Sequence, residues 1–156
     1  MNVCAMTAPR IMAIGLLCLL MLAGCRKTVM IHDPAEGIST APVMCLVENA
    51  NTPAGFLHAI EGWFEKQDIA YELKPHHTET DSCEWTITYT GWWEWENDTY
   101  YLSDAEIFAH RNGVQVGRET LLMGRSDKTR FEDGEQRIHK LMDMLYGRAL
   151  HYTPTE

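Results

Sequence analysis

A run of twelve residues with a strict period of two constrains the fold most. Trp85, Ile87, Tyr89, Gly91, Trp93 and Trp95 alternate with mostly threonine and glutamate, so that every second residue from 85 to 95 except the glycine is large and apolar. Successive side chains of a strand point to opposite faces. The run therefore predicts a long strand, bent or bulged at Gly91, whose aromatic face lies in the core. Trp92 is expected to point outward.

Turn residues and short apolar runs predict the other strands. Residues 96–99 form a polar turn, a strand follows over 100–110, and Asn112-Gly113 is a strong signal for a two-residue hairpin. That hairpin sends the chain back as a strand over 114–123. The short apolar run 43–47 indicates a buried strand, and residues 69–73 indicate a further strand.

Two segments have the period of an amphipathic helix. The first follows Thr52, a candidate N-cap, and Pro53, and its apolar residues recur between Phe56 and Phe64. The second begins near Asp133 and stops at Gly147. The order β-α-β-β-β-β-α predicts one α+β domain over residues 42–150, a two-layer sandwich with a mostly antiparallel sheet and both helices on one face.

The N-terminus is typical of a targeting segment. Residues 11–23 carry no charge, and Arg10 precedes them. A bilayer-spanning helix needs about 20 apolar residues, so this run fits a signal peptide instead. The following LAGC, residues 22–25, resembles the lipobox of bacterial lipoproteins. The resemblance implies removal of residues 1–24 and acylation of Cys25; the alternatives are a plain signal peptide or a short core segment.

Acylation would make the membrane attachment permanent. Each buried methylene contributes about 0.8 kcal/mol, and two or more chains anchor a protein stably. In that family an Asp after the lipidated Cys retains the protein in the inner membrane; Arg26 stands here, which implies the outer membrane, with the domain facing the periplasm. Residues 25–41 have no period and include Pro34 and Gly37, so we expect a tether there. A short tail is expected over residues 151–156.

The charge of the processed chain excludes one class of partner. All 22 acidic residues lie beyond residue 24, whereas one of the 13 basic residues, Arg10, lies within the signal peptide, so the formal charge changes from −9 to −10. Such a surface opposes binding to nucleic acid.

The pattern over residues 43–147 also resembles a group of small proteobacterial outer-membrane lipoproteins. The resemblance implies the fold and the outer-membrane location but supplies no catalytic residues.

Two cysteines remain in the processed domain besides Cys25. Cys45 and Cys83 are candidates for a disulfide in an oxidising compartment. The alternative is that Cys45, within the apolar run VMCLV, packs as a small buried hydrophobe. The sequence leaves both open.

Few residues suggest catalysis. His76 and His77, with Glu79 and Asp81 in the same loop, are the best candidates for a zinc or copper site, although a solvated loop explains them more simply. Glu94 and Glu96 are a candidate pair for glycoside hydrolysis, but residues two apart on a strand share a face and cannot flank a substrate. No nucleophile, phosphate-binding or redox motif is present, and we expect neither catalytic residues nor a cofactor.

The aromatic cluster around Trp92 and Tyr100 is the best candidate for a binding surface, because indole and phenol rings are enriched at interfaces. We therefore expect a noncatalytic, lipid-anchored domain that binds an envelope protein or glycan. The alternative is an envelope hydrolase or metal-dependent enzyme using residues 76–81 or Glu94 and Glu96. A purely structural lipoprotein would look the same in sequence.

Overall fold

The computed structural model describes residues 27–125 and 127–148. They form one α+β unit, as the sequence predicts, and it consists of a mixed six-stranded sheet and two helices. The strands are β1 (Val29–Asp33), β2 (Met44–Val47), β3 (Tyr71–Lys74), β4 (Trp85–Glu96), β5 (Thr99–Arg111) and β6 (Val114–Leu122). The helices are α1 (Ala54–Lys66) and α2 (Gly134–Leu145).

The strand order in the sheet is β1-β6-β5-β4-β2-β3. The neighbouring strands β1, β6, β5 and β4 pair antiparallel. At the other edge, β2 pairs parallel with both β4 and β3. Parallel pairing of β2 with β3 requires a crossover connection, and α1 supplies it. Between β5 and β6, Asn112 and Gly113 both have positive φ, as the two-residue hairpin turn requires.

Both helices pack against the same face of the sheet. The core combines alternate residues of the strands with the apolar stripes of the helices: Met44, Leu46, Trp85, Ile87, Ile107 and Leu121 from the sheet, and Phe56, Ile60, Trp63, Ile138, Leu141 and Leu145 from the helices. Phe56 stacks on Tyr89 with ring centroids 4.9 Å apart and covers Gly91, where a Cβ would lie 2.5 Å from the ring. The predicted bend residue is thus a glycine because a phenyl ring occupies its side-chain space.

The segment predicted as a tether is largely part of the domain, so that prediction was wrong. Val29–Asp33 pairs along β6, and the following turn buries Ala35 and Ile38. The amide of Ala35 donates a 3.0 Å hydrogen bond to the carbonyl of Leu145 at the end of α2. An edge strand of five residues is too short to show a period, and its partner lies far along the chain. With this strand the sheet has six strands, whereas the sequence predicts five.

The aromatic face of β4 is core only as far as the helices reach. Trp93 is partly buried and meets Phe56 edge-on with ring centroids 5.9 Å apart, whereas Trp95 is 72% exposed. Burial of Trp95 was therefore a wrong prediction. The β4–β5 hairpin projects past the helix layer to its turn at Asn97 and Asp98, so alternation there no longer separates inside from outside.

The helix starts differ in how they are capped. Asp133 caps α2 as predicted, since its side chain accepts a 3.1 Å hydrogen bond from the amide of Gln136. Pro53 rather than Thr52 occupies the cap position of α1, and no side chain bonds that cap. Within α2 the buried Arg137 donates to the carbonyl of Thr129 and so ties the loop over residues 127–133 to the helix.

Candidate functional site

The face of the sheet opposite the helices is the candidate site, because no helix of the described residues packs on it. We call it the outer face. The register of β4, β5, β6 and β1 aligns two rows of outer-face residues across these strands: Trp92, Asp104, Leu122 and Val29 in one, and Thr90, Glu106, Thr120 and Ile31 in the next. Carboxylates thus lie at the centre, between an indole on one side and aliphatic side chains on the other.

A shallow pocket of about 320 Å³ lies on this face. Its lining includes the side chains of Thr90, Trp92, Asp104, Glu106 and Leu122. Trp92 is 56% exposed beside it, on the side of the strand that the alternation predicts. The volume of the pocket falls at the lower end of the range found for small-molecule sites, so one side chain or one sugar ring would fill the pocket.

A β-bulge orients the first carboxylate. Trp92 pairs with Asp104 and Trp93 with Leu102, which leaves Ser103 as the extra residue of β5. The hydroxyl of Ser103 lies 2.9 Å from Oδ2 of Asp104 and 3.1 Å from the carbonyl oxygen of Trp92. Within the described part of the chain no hydrogen bond reaches Oδ1 of Asp104. That oxygen is available to a donor or a cation in the pocket.

The second carboxylate is already neutralised by a neighbour. Glu106 accepts a 2.6 Å hydrogen bond from Arg118, whose guanidinium also donates to Thr120 and lies over the ring of Phe108. This contact fixes Glu106 and leaves Asp104 as the carboxylate of the pocket with a free acceptor. The pocket therefore combines net negative charge with apolar walls, which suits a cationic or hydrogen-bond-donating group.

Tyr100, the second predicted binding residue, does not lie beside Trp92. It is 49% exposed on the opposite face of the β4–β5 hairpin, with its ring 5.0 Å from that of Trp95. The aromatic cluster of the sequence is thus two separate surfaces. One is the outer-face pocket with Trp92, and the other is a hairpin tip formed by Trp95 and Tyr100.

The histidine loop has the turn that a metal site would need but not the ligands. His77 has a positive φ, which brings the rings of His76 and His77 to a centroid distance of 3.8 Å. Nδ1 of His76 lies 3.0 Å from the carbonyl oxygen of Glu48, within hydrogen-bond distance. Nowhere in residues 27–125 and 127–148 do three or more His, Cys, Asp or Glu side chains come together as a metal would require. The loop thus carries no support for a zinc or copper enzyme.

The candidate hydrolase carboxylates are both occupied by neighbours. Glu94 accepts a 3.1 Å hydrogen bond from the hydroxyl of Tyr101, and burial together with this carboxylate raises the pKa of Tyr101. Glu96 is ion-paired with Arg130 at 2.7 Å. Each carboxylate is thus engaged by a neighbouring side chain, Glu94 by Tyr101 and Glu96 by Arg130.

Cys45 and Cys83 are joined by a disulfide. Cys45 is buried on β2, and the bond fixes the loop before β4, whose Thr80 carbonyl accepts a 3.0 Å hydrogen bond from Thr86. Cys25 lies outside the described residues, as do residues 1–24 and 151–156, which the sequence analysis predicts to be a signal peptide and a tail. Among the helices that are described, none is long and apolar enough to cross a membrane.

Comparison with known proteins adds little beyond the geometry. No protein-family model matches the chain, and no curated protein matches it. A solved structure that is similar is the dodecamer of a single-residue variant of PelC from Paraburkholderia phytofirmans. The likeness has a TM-score of 0.46 at 9% sequence identity and covers 78% of this chain and 96% of that chain. A likeness this distant carries no functional argument.

Sequence reasoning missed Asp104, Glu106 and Leu122 as parts of the site. The alternation of β5 carries a partial signal, because it places Asp104 and Glu106 on one face. Their position beside Trp92 depends on the register between strands, which the bulge at Trp92 shifts by one residue. Periodicity within a single strand cannot reveal that shift.

Proposed function

We propose that the chain is a lipoprotein of the outer membrane whose periplasm-facing domain binds an envelope protein or glycan through its outer face, without catalysing a reaction. The observation that carries the proposal is the pocket that joins the exposed indole of Trp92 to the free oxygen of Asp104. Exposed tryptophans beside a partly desolvated charge are typical of the centres of binding surfaces.

The pocket favours a ligand group with an apolar body and a donor at its tip. Trp92 and Leu122 provide apolar walls, and Asp104 accepts from a donor between them. A lysine or arginine side chain of a protein partner has this form, and so does an amino-bearing sugar ring. The enzyme alternative has no comparable support, because Glu94 and Glu96 are bonded to Tyr101 and Arg130.

Site-specific photocrosslinking in living cells tests the binding surface. A photoreactive phenylalanine in place of Trp92 is expected to give a discrete adduct, whereas the same residue in place of Val114, 65% exposed at the β5–β6 turn, is not. Trp92→Ala is expected to weaken binding of the identified partner about 30-fold or more, since central aromatic residues contribute about 2 kcal/mol or more. Equal adducts from both positions, or none from position 92, would contradict the proposal.

The anchor has its own test. Cys25→Ser removes the thiol that would carry the diacylglycerol and is expected to leave an uncleaved, unacylated precursor that retains residues 1–24. Mass spectrometry of the purified native and variant proteins measures both changes. Cys4→Ser, which makes the same change at another cysteine of residues 1–24, is expected to be acylated and cleaved like the native protein. Processing of the Cys25→Ser variant at the same site as the native chain would refute the anchor.

A further inference from the structure

We infer that the hairpin tip formed by Trp95 and Tyr100 lies in the headgroup region of the membrane to which the domain is anchored. The inference rests on the proposed acylation of Cys25. A phospholipid surface covers the exposed aromatic rings. Three features of the molecule support this arrangement: the direction of the chain, the reach of the link to Cys25, and the side chains at that end.

The anchor and the hairpin tip leave the domain at the same end. Val29 stands in one row with Leu122, Asp104 and Trp92, and β1 runs from this row towards the row that contains Thr88. Followed backwards from Val29, the chain therefore continues in the direction in which β4 runs from Trp92 to Glu96. A lipidated Cys25 and the hairpin tip would thus lie at the same end of the domain, and both would face the membrane surface.

The link to Cys25 is too short to hold the tip away from the bilayer. Three residues lie between Cys25 and Val29, and the four Cα–Cα steps that join them span at most about 14 Å when fully extended. The hydroxyl of Thr28 is fixed by a 2.6 Å bond to Asp127 and a 2.9 Å bond from the amide of Gly124, which shortens the free part further. At about 3.3 Å per residue, Trp95 lies about 10 Å beyond the row of Val29, and the turn about 16 Å beyond it.

The side chains at this end suit a membrane interface. Trp95 and Tyr100 pack on each other while remaining 72% and 49% exposed, and rings with a polar edge favour the headgroup level of a bilayer. Lys27, Arg125 and Lys128 are exposed beside the contact between Thr28 and Asp127. At the hairpin itself Glu96 is neutralised by Arg130, and Asp98 is exposed in the turn. In a processed chain with a formal charge of −10, the cations at this end lessen the repulsion from anionic lipids.

Fluorescence quenching in vesicles tests the inference on the acylated protein. The protein is purified in detergent, checked for acyl chains by mass spectrometry, and reconstituted into phosphatidylethanolamine–phosphatidylglycerol vesicles with or without bromine on the acyl chains near the headgroups. Trp95 is expected to account for most of the quenching, because Trp63 and Trp85 are buried in the core. Trp95→Phe should therefore reduce the quenched fraction at least twofold.

Trp92→Phe is the matched control, since it removes an exposed indole from the outer face and should leave the quenching unchanged. Both residues are exposed, so neither variant is expected to disturb folding, which circular dichroism verifies. Acylated protein whose quenching is equal in the native and Trp95→Phe forms would overturn this inference and leave the proposed anchor standing. Protein without acyl chains would overturn the anchor and this inference together.

Discussion

Replacing both Cys45 and Cys83 by alanine is expected to lower the free energy of unfolding by about 4 kcal/mol. The disulfide joins residues 38 positions apart, and closing a loop of that length restricts the unfolded chain much more than the folded one. For a domain of this size the loss corresponds to a decrease in Tm of about 15 °C. Thermal unfolding followed by circular dichroism measures it.

The effect should be large because the bond fixes an otherwise weakly held segment. The ten residues between β3 and β4 form a loop without helix or strand, and its hydrogen bonds include one from Thr86 to the carbonyl of Thr80. Without the disulfide this loop can open and expose Thr86, which is completely buried beneath it. Loss of order in the loop would therefore reach the pairing between β2 and β4.

Reductant provides the control for the disulfide. Dithiothreitol should lower the Tm of the native protein towards that of the double variant and leave the double variant unchanged. Ser82→Ala, a substitution beside Cys83 that keeps the disulfide, should change the Tm by little. Two results would contradict the expected contribution of the disulfide to stability. One is a native protein whose Tm does not change although the reductant has broken the disulfide, and the other is a double variant as stable as the native chain.

The sequence predicts the long elements well because their periods are set by burial on one face. Twelve residues of β4 and the apolar stripes of both helices repeat often enough to identify the element and its buried side. Asn112-Gly113 and Asp133 are local signals that act through backbone conformation or a single hydrogen bond. The α+β class follows from these elements alone.

What the sequence does not reveal depends on contacts between distant segments. β1 is stabilised by pairing with β6, about 90 residues later, and its own five residues have no usable pattern. Trp95 obeys the alternation of β4 but extends beyond the helices that would cover it. The period of a strand gives the face on which a residue lies, whereas exposure depends on what packs against that face.

The sequence predicts only one part of the candidate site, the outward orientation of Trp92. Alternation places Trp92 on the outer face, and the structure bears this out. Asp104 reaches the same pocket only through the register of the β4–β5 pair and the bulge beside Ser103. Proximity in sequence predicts that Tyr100 lies beside Trp92, but Tyr100 lies on the opposite face of the hairpin, next to Trp95.

Glu119 should make the stability of the domain fall as the pH rises from about 5 to 8. This glutamate of β6 faces the helix side and is completely buried, with Oε1 2.7 Å from Nδ1 of His32 and no hydrogen-bond partner for Oε2 among the described residues. Burial raises the pKa of Glu119 from its ordinary value of 4.5 to about 7, although the contact with His32 and the backbone of Asp33 oppose the shift. Desolvation therefore outweighs the favourable contact with the imidazole.

The sign follows from proton binding. Between pH 4.5 and 7 the folded protein retains a proton on Glu119 that the unfolded chain releases. The stabilisation is complete below pH 4.5 and is lost as the pH rises through 7, and the raised pKa corresponds to about 3 kcal/mol over that window. Burial lowers the pKa of His110, which gives an opposite slope near pH 6.5, so the comparison must be made against a variant that retains His110.

Glu119→Gln is that variant, because the amide keeps a hydrogen bond to His32 and cannot ionise. It should match the native protein within about 1 kcal/mol at pH 5 and exceed its stability at pH 8 by about 3 kcal/mol. Glu72→Gln, at an exposed position of β3, should leave the pH dependence of the native protein unaltered. Urea unfolding at a series of pH values measures the difference. Parallel curves for the native and Glu119→Gln proteins would mean that Glu119 is already ionised in the folded state at pH 5, and that His32 compensates the cost of burying the charge.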